Sequence, residues 1–249
     1  MNNLVSYIYG IADNALILGQ RLGELCGHGP SLETDIALTN ISLDLFGQTR
    51  SYFQYAASAL GEGATEDTIA FLRSEREYRN VLLVEQPNTD FAYCIARQYL
   101  FDEFHLLLLT ELQNSADETL AAIATKSLKE VSYHRRFSSD WILRLGDGTP
   151  ESHERIQTAI NDLWTYTDEL FQMTPADTEM ASLGVGVDLA PLKQIWLERI
   201  TDLLTRATLS VPDQQYFLKG GKSGIHSEHM GYLLADLQYM QRTFPNMTW

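Results

Sequence analysis

The sequence predicts an all-α fold, a bundle of long helices, and three observations carry that prediction. Apolar residues recur at spacings of three and four through almost every segment. No alternating β-branched run reaches strand length. Several of the apolar periods persist for roughly 25–30 residues, about twice the usual helix, and long helices joined by short turns pack as bundles.

The first segment is the cleanest: Leu4, Ile8, Ile11, Ala15, Leu18, Leu22 and Leu25 form one helical stripe, which stops at Gly27 and Pro30. Ser31 opens a second helix, with Glu33 and Asp35 complementing the dipole of its first turn, and the pattern continues to Leu60 ahead of Gly61 and Gly63. A third helix is expected from Thr65 to Gln86, opened by Glu66 and Asp67 and closed by Pro87. The fourth covers 91–113, its stripe of Phe91, Ile95, Phe101, Leu108 and Leu112 interrupted by Gln98 and His105. Ser115 with Glu118 three residues on reads as a capping box for a fifth helix ending at Leu145, before Gly146 and Gly148. Thr149 and Pro150, a cap and an N1 proline, open a sixth helix to Gln172. Residues 173–188 read as irregular and 191–207 as a seventh helix. A connection bearing Gly and Lys over 211–225 precedes a last helix capped by Ser227 and ending near Phe244.

The 249 residues carry 18 Lys+Arg against 33 Asp+Glu, a formal charge of −15. That balance argues against nucleic acid, whose binding needs clustered cations, and against anionic membrane surfaces for the same reason. No run approaches the ~18 apolar residues of a membrane helix, and residues 1–7 lack the basic and hydrophobic regions of a signal peptide, so a cytoplasmic protein is expected. Cys26 and Cys94 show no metal or disulfide spacing and are expected to be small core residues.

Three motifs bear on chemistry. Lys219 to Gly224 ends in Gly-Lys-Ser, but Tyr216 stands where a phosphate loop needs its first glycine, so a flexible connection is expected; Lys219 and Lys222 could meet the phosphates of a coenzyme A group. His226 and His229, flanking Glu228, lack the metalloprotease pattern and read as surface or capping residues. A long-helix bundle also invites the ferritin-like di-iron site, which takes a Glu from each of two helices and Glu-x-x-His from each of two others, because residues three apart point to one side. No intact Glu-x-x-His occurs. Asp102-x-x-His105, Glu130-x-x-x-His134, and Asp44 with Gln48 on the second helix are what the sequence offers. Asp102 and His105 read first as a hydrogen-bonded pair in the bundle, and Gln98, Asp102, His105, Glu130 and His134 as a polar seam.

Several stretches then resemble a known family: Arg21-Leu-Gly-Glu-Leu-Cys-Gly-His28, Leu43-Asp-Leu-Phe-Gly-Gln-Thr-Arg50, Leu83-Val-Glu-Gln-Pro-Asn88, Ile95-Ala-Arg-Gln-Tyr99 and Gly220-Gly-Lys-Ser-Gly-Ile-His-Ser-Glu-His229. The chain is similar over nearly its whole length to the C-subunit family of bacterial phenylacetyl-CoA 1,2-epoxidases, multicomponent ring oxygenases of phenylacetate degradation. The resemblance implies a ferritin-like long-helix bundle with additional C-terminal helices, expected as one domain over 1–249. It implies a homologous catalytic A subunit that holds the di-iron centre and binds the acyl-CoA. The other oxygenase components are further candidate partners in a hetero-oligomer, with a homodimer as the state of the chain alone.

Catalytic relatives carry Glu and His ligands on the second bundle helix, where this chain has Leu45 and Gln48. In the second motif His134 stands at the histidine position, but Val131 replaces the glutamate. Leucine and valine offer no donor and glutamine is a weak one, so no cofactor is expected in this chain. The expectation is therefore a non-catalytic structural subunit, with Asp44, Gln48, Asp102, His105, Glu130 and His134 as a vestigial set. The alternative is an autonomous di-metal oxidase or oxygenase using Glu24, Asp102, His105, Glu130 and His134.

Overall fold

The computed structural model describes residues 2–61, 63–245 and 247. It has ten α-helices among these residues, and no strand: α1 (Asn3–Gly23), α2 (Leu32–Leu60), α3 (Glu66–Phe71), α4 (Leu82–Glu85), α5 (Phe91–Leu112), α6 (Glu118–Gly146), α7 (Pro150–Trp164), α8 (Pro175–Ser182), α9 (Ala190–Arg206) and α10 (Glu228–Thr243). By contacts the chain falls into two compact units, residues 1–87, 174–176 and 220–249 in the first, 88–173 and 177–219 in the second.

In the first unit α1 and α2 form an antiparallel pair. The Ser42 hydroxyl donates to the Gly19 carbonyl (2.7 Å) near one end, and Thr49 lies against Ala12 farther along. Gly19 permits the close approach, since a Cβ there would sit 3.1 Å from the Phe46 ring. Ser31 caps α2 through the Thr34 amide, and α2 ends at Gly61, whose φ of +69° suits glycine.

The single helix expected over 65–86 is broken into α3, one 3₁₀ turn and α4. Side chains of α1 explain the break. Asp13 accepts from the buried Arg73 guanidinium (3.0 Å) and from the Arg79 amide (2.8 Å), and Asn14 accepts from the Val81 amide (2.8 Å). Those amides would otherwise serve a continuing helix. Arg73 is further held between the Tyr9 and Tyr78 rings, 4.3 and 4.2 Å from its guanidinium carbon. The Gln238 amide of α10 donates to the Arg73 carbonyl (2.9 Å), which ties the last helix to the same segment.

In the second unit α6, α7 and α9 pack on α5. Helix α5 is apolar nearly all round and buried nearly all round, as a central helix must be. Trp196 of α9 packs against Trp164 at a tilt and edge-to-face against Phe171 (5.6 and 5.5 Å) and donates its indole N–H to the Leu100 carbonyl (3.1 Å). Gly146 closes α6 where a Cβ would lie 2.3 Å from the Ala207 carbonyl oxygen, so only glycine fits.

Several expected boundaries are corrected. The cap of α6 is Asp117, which accepts from the Leu120 amide; Ser115 instead donates to the Val185 carbonyl. Helix α7 stops at Trp164 because the Thr167 hydroxyl takes the Trp164 carbonyl and the Leu218 amide takes that of Thr165. The stretch read as irregular contains α8. Cys94 is buried as expected, but Cys26 lies past the end of α1 and is exposed. Thr149 caps α7 as read, through a reciprocal pair with Ser152.

Candidate functional site

The polar seam of the second unit lies between α5 and α6. Gln98, Asp102 and His105 follow one another at spacings of four and three on α5, and α6 contributes His134 and Ser138; all five are at most 2% exposed. Asp102 accepts from the Gln98 amide (2.6 Å) and the Ser138 hydroxyl (2.8 Å). These, and not His105, are its hydrogen-bond partners, which corrects the expected Asp102–His105 pair. His105 packs its ring 5.2 Å from that of Phe101, and its Nδ1 has no hydrogen-bond partner; nor does Gln98 Oε1.

Burial dominates the electrostatics of this seam. It pushes the Asp102 carboxyl up to about 7, against the opposing pull of His134 and of the hydrogen bonds from Ser138 and Gln98. It pushes His105 down to about 3, with His134 adding to the effect, so His105 is a neutral imidazole at physiological pH. Glu130 sits half-buried one turn before His134 on α6.

The other sequence candidates lie in the first unit. Asp44 is half-buried and Gln48 fully buried on α2, beside a buried Leu45. Glu24 forms an ion pair with Arg21 (3.0 Å) at the end of α1. Lys222 is half-buried in a single 3₁₀ turn, and Lys219, in the second unit, is exposed.

Besides the buried Asp13–Arg73 pair, two further buried charge clusters escape sequence reading. Glu103, fully buried on α5, receives Arg135 of α6 (2.7 Å) and Arg199 of α9 (2.8 Å), so one carboxylate pins three helices. A glutamate inside an apolar helix is the signal that was there to find. In the first unit Glu85 accepts from Asn80 (2.9 Å), from the Ser227 amide and hydroxyl (2.8 and 2.7 Å) and from His226 Nδ1 (2.5 Å). His226 Nε2 faces the Tyr78 carbonyl (3.3 Å). Both ring nitrogens thus face acceptors, which suits the imidazolium. His226 is therefore a buried ion-pair partner and not a surface residue, and Ser227 bonds to Glu85 where a cap of its own helix was expected.

A model of the family described as phenylacetic acid catabolic protein matches residues 1–249. The chain is also 49% identical to the C subunit of the 1,2-phenylacetyl-CoA epoxidase of Escherichia coli (strain K12), over 249 residues and the whole of both chains. The chain belongs to the phenylacetic acid catabolic protein family. For this family member the resemblance read from the motifs holds, and its all-α ferritin-like bundle follows with it.

The residues present do not fit a di-iron centre. Even with half-buried Glu130 counted, the seam of the second unit supplies two carboxylates, two imidazoles and neutral Gln98, whereas a ferritin-like di-iron centre takes a carboxylate from each of four helices. Leu45 and Val131, at two of the positions matched to ligands, are fully buried hydrocarbons. Among the described residues no group of three or more His, Cys, Asp or Glu is placed to share a metal ion. No described helix is long and apolar enough to cross a membrane.

Proposed function

We propose that this chain is the non-catalytic subunit of a cytoplasmic phenylacetyl-CoA 1,2-epoxidase, where it stabilises a homologous di-iron subunit that adds one oxygen atom across the aromatic ring of phenylacetyl-CoA. The observation that carries the reading is the identity to the Escherichia coli epoxidase component over the full length of both chains. The seam is compatible with it: Asp102 is satisfied by Gln98 and Ser138, as a buried polar group held in a core must be. The chain's own contribution is packing and recognition, holding the catalytic bundle in a hetero-oligomer while that bundle meets substrate and reductant.

The test is co-expression with the catalytic subunit, followed by size-exclusion chromatography and an epoxidation assay. A stable complex that is active where neither protein alone turns over supports the reading. Independent elution at micromolar concentration defeats it. Turnover by the isolated chain, lost on replacing His105 and His134 together, establishes the autonomous di-metal oxygenase instead.

A further inference from the structure

The outward face of α2 carries an aliphatic seam that the other described residues of its unit leave exposed. Leu32, Ile36 and Leu43 are 71%, 51% and 60% exposed, while Leu38, Ile41 and Leu45 of the same helix are buried. Their spacing of four and then seven keeps them on one line, and Gly47, four residues further, continues it with open space above its Cα. Large aliphatic residues at these exposures along one line of a helix mark a contact surface.

The charge around the seam selects its occupant. Between Arg21 and Arg50 the chain has no lysine or arginine, and the charged residues of α2 over that span are Glu33, Asp35 and Asp44. A second copy laid on this face would set acid against acid, between chains already at −15 each. A helix with an aliphatic seam flanked by lysine or arginine meets both features.

We infer that the Leu32, Ile36 and Leu43 face of α2 docks a helix of the subunit this chain stabilises, one with an aliphatic seam and basic flanks. This rests on the hetero-oligomeric reading above. The test compares the wild-type chain, the Ile36→Asp/Leu43→Asp double variant and Leu183→Asp, which alters an aliphatic residue 59% exposed elsewhere, for affinity to the purified catalytic subunit. The double variant is expected to bind at least ~30-fold more weakly and Leu183→Asp unchanged, with wild-type affinity falling as salt rises. Hydroxyl-radical footprinting of the wild-type complex needs no variant: oxidation of Leu32, Ile36 and Leu43 should fall on binding. Equal affinity of the double variant, or unchanged oxidation of all three, overturns the docking face and leaves the subunit reading intact. A wild-type homodimer that the double variant abolishes overturns the choice of partner. A wild-type chain that binds no catalytic subunit removes the subunit reading and this inference with it.

Discussion

Replacing Asp102 by Asn should stabilise the protein in alkaline solution, although it removes a hydrogen-bonded group from the core. The carboxyl is 1% exposed, and burial moves it from the ordinary carboxylate value near 4 to about 7. Three pH units at ~1.4 kcal/mol each set a ceiling of about 4 kcal/mol on the cost of keeping it ionised above pH 7. The amide carbonyl still accepts from Ser138, and once the Gln98 amide, which now donates to Asp102, turns over, the new NH₂ donates to Gln98 Oε1. A net gain of about 1–3 kcal/mol at pH 8 is therefore expected. The sign follows from linkage: an acid whose pKa rises on folding binds its proton more tightly in the native state. With respect to this group wild-type stability is accordingly full below about pH 4 and declines as pH climbs to 7. The Asn variant has no such dependence, so the gap should open across that window and stay constant above it. His105, held low in both proteins, cancels in the difference. Urea denaturation of the two proteins from pH 4 to pH 9, followed by far-UV circular dichroism, measures it. A loss of more than ~1 kcal/mol on substitution at pH 8 would refute the reasoning, because it would make the ionised carboxylate a net stabiliser paired with His134.

Further outcomes follow from the same structure. His226→Ala strips Glu85 of its charged partner and leaves only Asn80 and Ser227 as donors, so it should cost about 2–4 kcal/mol by urea denaturation. Burial lowers the pKa of His226, but the hydrogen bond and charge of Glu85 outweigh it and raise the value; the wild-type advantage should be full below about pH 6.5 and shrink as pH rises through the elevated pKa. Gly146→Ala forces a methyl against the Ala207 carbonyl oxygen and should destabilise by about 1–3 kcal/mol, seen as a lower Tm. We also propose that residues 1–249 act as one folding domain: a single thermal transition, coincident by circular dichroism and tryptophan fluorescence, is expected, and two resolved transitions would divide it.

The long helices are legible in the sequence because their apolar stripes and caps agree. Ser31, Gly61, Thr149 and Pro150 all stand where local chemistry places them. The break in 65–86 is not legible, because Asp13 and Asn14, more than 60 residues away, take the Arg79 and Val81 amides that would have continued the helix. The same limit hid the Glu85 cluster: His226 looks like an exposed loop histidine until the fold sets it against a buried carboxylate 141 residues earlier. In the seam, spacing alone aligned Gln98, Asp102 and His105, while Ser138 had no local signal, since its role depends on the register of α5 against α6.

We propose that the chain supports catalysis without performing it. Iron analysis of the chain purified alone and together with its catalytic partner, with phenylacetyl-CoA epoxidation measured on each sample, tests it most directly. Iron and turnover are expected in the complex and neither in the isolated chain. About two irons per chain with turnover in the isolated protein would contradict it, and would make Asp102, His105, Glu130 and His134 part of a working active site.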